Sequence, residues 1–137
     1  MDSLRNQLIR DEEERLKVYN DSVGVPTIGV GRNLRDKGIS KTESAFMLDN
    51  DICDYTVEVA KAIPWLGLLD TPRQEVLINM AFNLGTFGLL KFTMFLAALQ
   101  VRNWELAAVN MLDSKWANQV GPRAHRLAKQ IRTGVRQ

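Results

Sequence analysis

The spacing of hydrophobic positions changes near the N-terminus and divides the chain into a short β segment and a helical remainder. Within residues 2–13, leucines recur four positions apart, which predicts a short helix. Between Leu16 and Gly31 the period falls to two and turn-forming residues cluster, which predicts a small antiparallel hairpin. Asp21 is then expected in the turn and Thr27 on the returning strand.

Beyond residue 40 the hydrophobic spacing is helical. The segment Ser40-Lys41-Thr42-Glu43 has the capping-box pattern, and apolar residues at steps of three or four then predict a long helix over 41–63 that Pro64 ends. Further helices are predicted over 72–84, 93–101, 104–112 and 122–133. The whole pattern predicts an α+β fold that is mainly α.

Two of these helices carry clear start signals. Thr71 is expected to cap the helix that begins with Pro72, and Asn103 to cap the helix over 104–112. The helix over 72–84 is apolar almost all round, which predicts a central, buried position.

The composition excludes several classes of protein. The 137 residues include one cysteine, Cys53, so no disulfide can form within the chain, and we expect this side chain to be a buried small hydrophobe. With one histidine, His125, the chain cannot build the usual zinc shell, and we expect neither a metal nor a cofactor. No basic region followed by an apolar run opens the sequence, so we expect neither export signal nor membrane anchor.

The net charge of +2 conceals an uneven distribution. Residues 100–137 carry seven Lys or Arg against two Asp or Glu, while residues 1–60 are net acidic. A basic C-terminal third predicts an anionic partner, which could be nucleic acid, a membrane surface or a cell-wall polymer.

Two acids near the N-terminus are candidates for chemistry. Glu12 continues the leucine face of the first helix, and burial there would keep its proton available for donation to a substrate. The alternative is an exposed acid within the charged run 11–14. Asp21 is equally consistent with an ordinary turn residue.

Glu12, Asp21 and the run Thr27-Ile28-Gly29-Val30-Gly31 resemble the catalytic segment of phage-type lysozymes, glycoside hydrolase family 24. The resemblance continues in order along the chain, through segments 78–85, 107–110, 114–119, 123–124 and 132–134. It implies a single lysozyme-like domain, 1–137, with a small N-terminal β-hairpin lobe (about 14–40). A linking helix (about 41–63) would join this lobe to a larger helical lobe (about 64–137) that also includes the N-terminal helix.

The resemblance implies an enzyme that hydrolyses the β-1,4 bond between N-acetylmuramic acid and N-acetylglucosamine in peptidoglycan. Glu12 would be the general acid, Asp21 would activate water on the opposite face of the sugar, and Thr27 would help to hold that water. The resemblance favours inversion, and the presence of a second carboxylate favours hydrolysis over the lytic transglycosylase reaction, which needs only the acid. Arg123 matches the arginine that reaches the catalytic glutamate in the family.

The resemblance also implies residues that contact sugar, namely Asn33, Phe82, Phe95 and Asn110. Trp116 matches a tryptophan beneath the cleft, but Phe82 and Trp116 could equally be core residues. The family's histidine after the Thr-Ile-Gly-x-Gly run is replaced by Arg32, and the chain between residues 32 and 40 is shorter than in the family. We therefore expect a more open cleft.

As a bacteriophage endolysin, the protein would act on the bacterial wall as a monomer during host cell lysis. It would accumulate in the host cytoplasm and be released through a partner holin. The alternative is a cationic module that binds wall, membrane or nucleic acid without catalysis through its basic C-terminal helix. That helix has no base-reading signature, so no nucleic-acid partner is expected, whereas membrane contact stays open as a second activity.

Overall fold

A computed structural model describes residues 2–137, which begin with one helix and a small sheet. Helix α1 spans Asp2–Glu12, and strands β1 (Glu14–Asn20), β2 (Pro26–Val30) and β3 (Arg32–Asn33) form an antiparallel sheet in that order. The expected hairpin is confirmed. The third strand was not predicted, because two residues are too few to show a period.

The rest of the described chain is helical, and the predicted α+β fold that is mainly α is confirmed. The elements are α2 (Lys41–Ala62), a 3-10 turn (Leu66–Leu68), α3 (Thr71–Leu84), α4 (Thr86–Leu90), α5 (Thr93–Gln100), α6 (Trp104–Leu112), α7 (Lys115–Val120) and α8 (Pro122–Thr133). Helices α4 and α7 were not predicted, because segments of five and six residues are too short to display a helical period.

The chain divides into two compact units, Met1–Met47 and Leu48–Gln137. The first contains α1 and the sheet, while the second contains a hydrophobic core built around α3, as the apolar pattern of that helix predicted. Burial of one large aliphatic side chain contributes about 1.5–3 kcal/mol, so this core is the main source of stability in the second unit. Its side chains without measurable exposure include Val59, Val76, Leu77, Met80, Leu89, Leu99, Met111 and Ile131.

Local hydrogen bonds account for the positions at which the helices begin. The capping box of α2 is confirmed, because Ser40 Oγ accepts from Glu43 N and Glu43 Oε1 accepts from Ser40 N, each at 3.1 Å. Asn103 caps α6 as predicted. The prediction for α3 was wrong by one residue, since Asp70 and not Thr71 accepts a bond from the helix backbone.

One further expectation about burial was wrong. Cys53 is exposed on α2, because the core-facing stripe of this helix passes through Val59 near its C-terminal end and leaves position 53 outside it.

Candidate active site

Glu12 is the last residue of α1, where the chain turns sharply towards the sheet. Its neighbour Glu13 has a left-handed backbone with φ 60°, and β1 begins directly afterwards at Glu14. Burial and exposure were both open for Glu12 from the sequence, and its side chain is exposed. No residue of α1 is buried. The helix is mostly polar, and its two leucines form too narrow an apolar face to bury it against the rest of the unit.

The Glu12 carboxyl lies directly against the backbone of Gly31, which connects β2 to β3. A Cβ atom placed on Gly31 would be 2.8 Å from Glu12 Oε2, so any other residue at this position would force the Glu12 carboxyl to move. The φ of Gly31, +65°, also favours glycine. The Glu12 carboxyl occupies the space that a side chain at position 31 would fill. The sequence did not predict this contact, because the two residues are far apart along the chain.

Asp21 lies in the turn between β1 and β2, as predicted, and its carboxylate is held by the backbone of that turn. Oδ1 accepts from Val23 N at 2.9 Å and from Val25 N at 2.8 Å. Within residues 2–137, the other oxygen, Oδ2, accepts no hydrogen bond. One oxygen thus fixes the orientation of the carboxylate, and the other stays available to a water or a substrate.

Thr27 lies on β2, as predicted, and is only 5% exposed. Its hydroxyl donates to the Val25 carbonyl at 2.9 Å. Because the hydroxyl proton is used in this bond, the lone pairs of Thr27 Oγ1 are left to accept from another donor.

Val25 joins the two predicted residues of the turn. Its amide donates to Asp21 and its carbonyl accepts from both Thr27 Oγ1 and Asp21 N. Val25 is itself buried. A residue with no functional side chain thereby sets the positions of both polar groups, which is why no motif indicated it.

Arg32, which replaces the family's histidine, is bound at the far end of the same turn region. Its Nη1 donates to the Gly38 carbonyl at 3.1 Å and to both carboxylate oxygens of Glu43, at 3.1 and 2.8 Å. Bonds from Ser40 and then from Arg32 hold the pKa of the Glu43 carboxyl below its ordinary value. The pair ties β3 to the N-terminus of α2.

Asn33, a predicted sugar contact, uses both ends of its amide to close the turn after β3. Its Oδ1 accepts from Asp36 N at 2.8 Å, and its Nδ2 donates to Asp36 Oδ2 at 3.1 Å. A sugar hydroxyl would have to compete with these bonds. The role of Asn33 in substrate binding stays a prediction.

In the second unit, Phe82 and Arg123 line one apolar cavity of about 380 Å³. Phe82 is 40% exposed, and its ring centroid lies 5.5 Å from that of Tyr55. Arg123 donates to Asn79 Oδ1 through Nε at 3.1 Å and through Nη2 at 2.7 Å. The rest of the cavity is lined by Leu48, Ile52, Glu75, Ile78 and Asn79.

Phe95 and Asn110 border a second cavity of about 350 Å³ in the same unit. Asn110 is partly exposed, but Phe95 is only 1% exposed and belongs to the core. Phe95 therefore packs in the core and offers no exposed ring face for stacking on sugar, and its role in substrate binding stays a prediction.

Trp116, for which two roles were open, is a core residue. It is 5% exposed, and its indole donates to Asn83 Oδ1 at 2.8 Å. Its ring also packs edge-on against Phe92, with centroids 5.9 Å apart.

Helix α8 buries its apolar face and presents a polar one. Leu127 and Ile131 are among its buried residues. Arg132 pairs with Glu105 at 2.9 Å, and Arg136 pairs with Glu75 and holds the pKa of that carboxyl below its ordinary value. Part of the basic character of this region is therefore neutralised within the unit.

The described residues contain neither a metal site nor a helix that could cross a membrane. No cluster of three or more His, Cys, Asp or Glu side chains among them could hold a metal ion. Among residues 2–137, the helices are each too short or too polar to cross a membrane.

Comparison with known proteins gives one family and several relatives. The family model described as phage lysozyme matches residues 10–132. The chain is 26% identical to a probable T4-type lysozyme 2 of Dictyostelium discoideum, over 97% of this chain and 95% of that protein. It is 30% identical to the endolysin of Salmonella phage P22, over 74% of this chain and 73% of that protein.

A longer relative matches over part of its length. The chain is 32% identical to the pre-baseplate central spike protein Gp5 of Enterobacteria phage T4, over 96% of this chain but 28% of that protein. The chain thus spans about a quarter of the spike protein and nearly all of the Dictyostelium protein.

Proposed function

Because the chain belongs to the phage lysozyme family and is therefore a glycoside hydrolase, we propose that it is a muramidase acting on peptidoglycan. It hydrolyses the β-1,4 bond between N-acetylmuramic acid and N-acetylglucosamine. The observation that carries this proposal is the turn at residues 21–27, in which Val25 holds both Asp21 and Thr27.

In this mechanism Glu12 is the general acid. Its carboxyl stands beside Gly31, at the end of α1, and gives its proton to the glycosidic oxygen as the bond to C1 breaks. Positive charge then develops on the sugar ring. An exposed carboxyl can reach a substrate directly, so exposure of Glu12 is consistent with this role.

Asp21 is the general base, and Thr27 helps to hold the water that it activates. A water that donates one proton towards Asp21 Oδ2 and the other to Thr27 Oγ1 satisfies both free acceptors. Its oxygen attacks C1 from the face opposite the leaving oxygen while Asp21 takes its proton. This single displacement inverts the configuration at C1.

Two residues of the second unit supply further sugar contacts in this proposal. Phe82 offers a partly exposed ring, and Asn110 offers an amide beside a cavity. We assign Arg123 a supporting role, with Asn79 holding its guanidinium in one orientation.

The biological role we propose is lysis of a bacterial host, in which the enzyme collects in the cytoplasm and reaches the wall through a holin. A binding module without catalysis fits less well. Leu127 and Ile131 are buried, so α8 has no apolar face to insert into a membrane. Contact of its basic face with a membrane surface would be electrostatic.

Lysis of outer-membrane-permeabilised Gram-negative cells tests the proposal. We expect Glu12→Gln to abolish clearing of the suspension, because the amide N–H is far too weak an acid to protonate the leaving oxygen. We expect Asp21→Ala to reduce clearing by at least about 100-fold, the lower end of the usual contribution of one general acid or base. The loss of turbidity is followed for each variant at equal concentration of folded protein.

The matched control is Glu14→Gln, which makes the same change in charge two residues away on β1. Since Glu14 is exposed and has no role in the mechanism, this variant should clear cells at the wild-type rate. Clearing by Glu12→Gln at that same rate would refute the assignment of the general acid.

A further inference from the structure

We propose that Arg32 is a positioning residue for the general acid, acting on Glu12 through the backbone of Gly31. The inference rests on the proposed function, because it assumes that Glu12 donates the proton. It concerns the residue at which this chain departs from the family's histidine.

The first step is the close approach of Gly31 to Glu12. A Cβ on Gly31 would lie 2.8 Å from Oε2, 3.2 Å from Cδ and 3.3 Å from Cγ of Glu12, so the end of the glutamate rests against this backbone. A displacement of Gly31 must therefore change the position or the freedom of the Glu12 carboxyl.

The second step is the way in which Gly31 itself is held. On one side it continues β2, and on the other it leads into β3, which consists of two residues only. Ile28 faces Arg32 and Thr27 faces Asn33 in this short pairing. One further backbone bond, from Leu34 N to the Pro26 carbonyl at 2.9 Å, extends this short pairing. A side-chain anchor next to Gly31 restrains the strand further.

Arg32 provides that anchor. Its guanidinium donates to the Gly38 carbonyl and to Glu43, and its side chain is 27% exposed. These bonds span the whole loop from β3 to α2. Glu43 is more exposed, at 43%, but hydrogen bonds between a guanidinium and a carboxylate are stronger than bonds between neutral groups.

Glu43 is a rigid partner because it is also part of the capping box of α2. Oε1 accepts from the Ser40 backbone, and the Glu43 amide donates to Ser40 Oγ. Like any glutamate near its ordinary pKa, Glu43 is charged at neutral pH, and bonds from Ser40 and Arg32 hold its pKa lower still. Arg32 is thus bound to a group that is itself fixed to a helix end.

Loss of this anchor should lower the turnover number, kcat. A general acid displaced by about 1 Å can lose on the order of 100-fold in rate, even though the substrate still binds. Loss of the Arg32 anchor should therefore reduce kcat while the KM changes little.

Steady-state hydrolysis of soluble, uncross-linked peptidoglycan chains at 25 °C tests this. For Arg32→Ala we expect a fall in kcat of at least about tenfold with KM within about twofold, since positioning acts on the transition state rather than on ground-state binding. Arg35→Ala is the matched control, because it removes the same charge three residues from Arg32. Among the described residues, Arg35 pairs only with the neighbouring Asp36, at 3.5 Å.

A second variant, Glu43→Gln, keeps the shape and the capping bonds but removes the charged partner of Arg32. It should show a smaller fall in kcat in the same direction, and Arg32→Lys should restore part of the rate lost in Arg32→Ala. Far-ultraviolet circular dichroism at the assay temperature establishes that each variant is folded. If Arg32→Ala fails to fold, the Glu43→Gln and Arg32→Lys variants decide the question.

The outcomes separate this inference from the proposed function. If folded Arg32→Ala and Glu43→Gln retain the wild-type kcat while Glu12→Gln is inactive, the positioning role is wrong and the mechanism stands. If Glu12→Gln is fully active, the mechanism itself is wrong. A fall in kcat equal to that of Arg35→Ala would also overturn the positioning role.

Discussion

At the scale of single residues, Glu12, the proposed general acid, is followed by a residue whose backbone conformation glutamate adopts poorly. Glu13 has φ 60°, in the left-handed region, where a side chain costs roughly 1–2 kcal/mol. Its carboxylate forms an exposed ion pair with Arg15 at 3.3 Å, which offsets little of that energy. The strain is therefore retained immediately beside the site, as is common where geometry serves function.

Replacement of Glu13 by glycine should relieve this strain. We expect Glu13→Gly to raise the free energy of unfolding by about 1 kcal/mol in urea denaturation, because glycine adopts a positive φ freely. Glu14→Gly is the control: in the extended strand β1, glycine should lower stability by about 0.5–1 kcal/mol. If both variants lose stability equally, the strain at Glu13 has been overestimated.

At the scale of secondary-structure elements, Arg73 of α3 binds the C-terminal end of helix α8. Arg73 donates to the carbonyls of Ile131 at 2.7 Å and Arg132 at 3.2 Å, and its guanidinium stacks on the Trp104 ring at 3.9 Å. Gly134 follows in a left-handed conformation, and a Cβ there would lie 2.8 Å from Arg73 Nη1. One side chain thereby satisfies two carbonyls of the last turn.

Truncation of this arginine should cost more than truncation of an ordinary surface arginine. We expect Arg73→Ala to lower the free energy of unfolding by about 2–3 kcal/mol, because charged hydrogen bonds are lost and helix carbonyls are left unsatisfied. Arg126→Ala, an exposed position on α8, should change it by less than about 0.5 kcal/mol. Equal effects in thermal or urea unfolding would show that Arg73 is not an anchor.

The elements themselves were predictable where local signals were strong. The capping box at Ser40 and Glu43 and the Asn103 cap marked real helix starts, because such bonds involve residues three positions apart. Helices α4 and α7 and strand β3 were not predicted, since none of them is long enough for its hydrophobic pattern to repeat twice. At α3 the proline gave the right helix, but the cap lay one residue earlier, at Asp70.

At the scale of the whole molecule, the identities of the candidate catalytic residues were available from sequence while their surroundings were not. The positions of Asp21 in a turn and Thr27 on a strand followed from local patterns. The contact of Gly31 with Glu12 and the pair of Arg32 with Glu43 join residues far apart in sequence, and no periodicity reports such pairings. Burial of Phe95 likewise depends on how helices pack.

The central claim is that Glu12 and Asp21 perform one inverting displacement by water. Proton NMR of the products during the first minutes of cleavage of peptidoglycan chains tests it most directly, because the anomer released first shows the face from which C1 is attacked. If water attacks C1 in one inverting step, the new reducing N-acetylmuramic acid appears first as the α anomer and then mutarotates. A β anomer released first, or a 1,6-anhydro product, would contradict this claim.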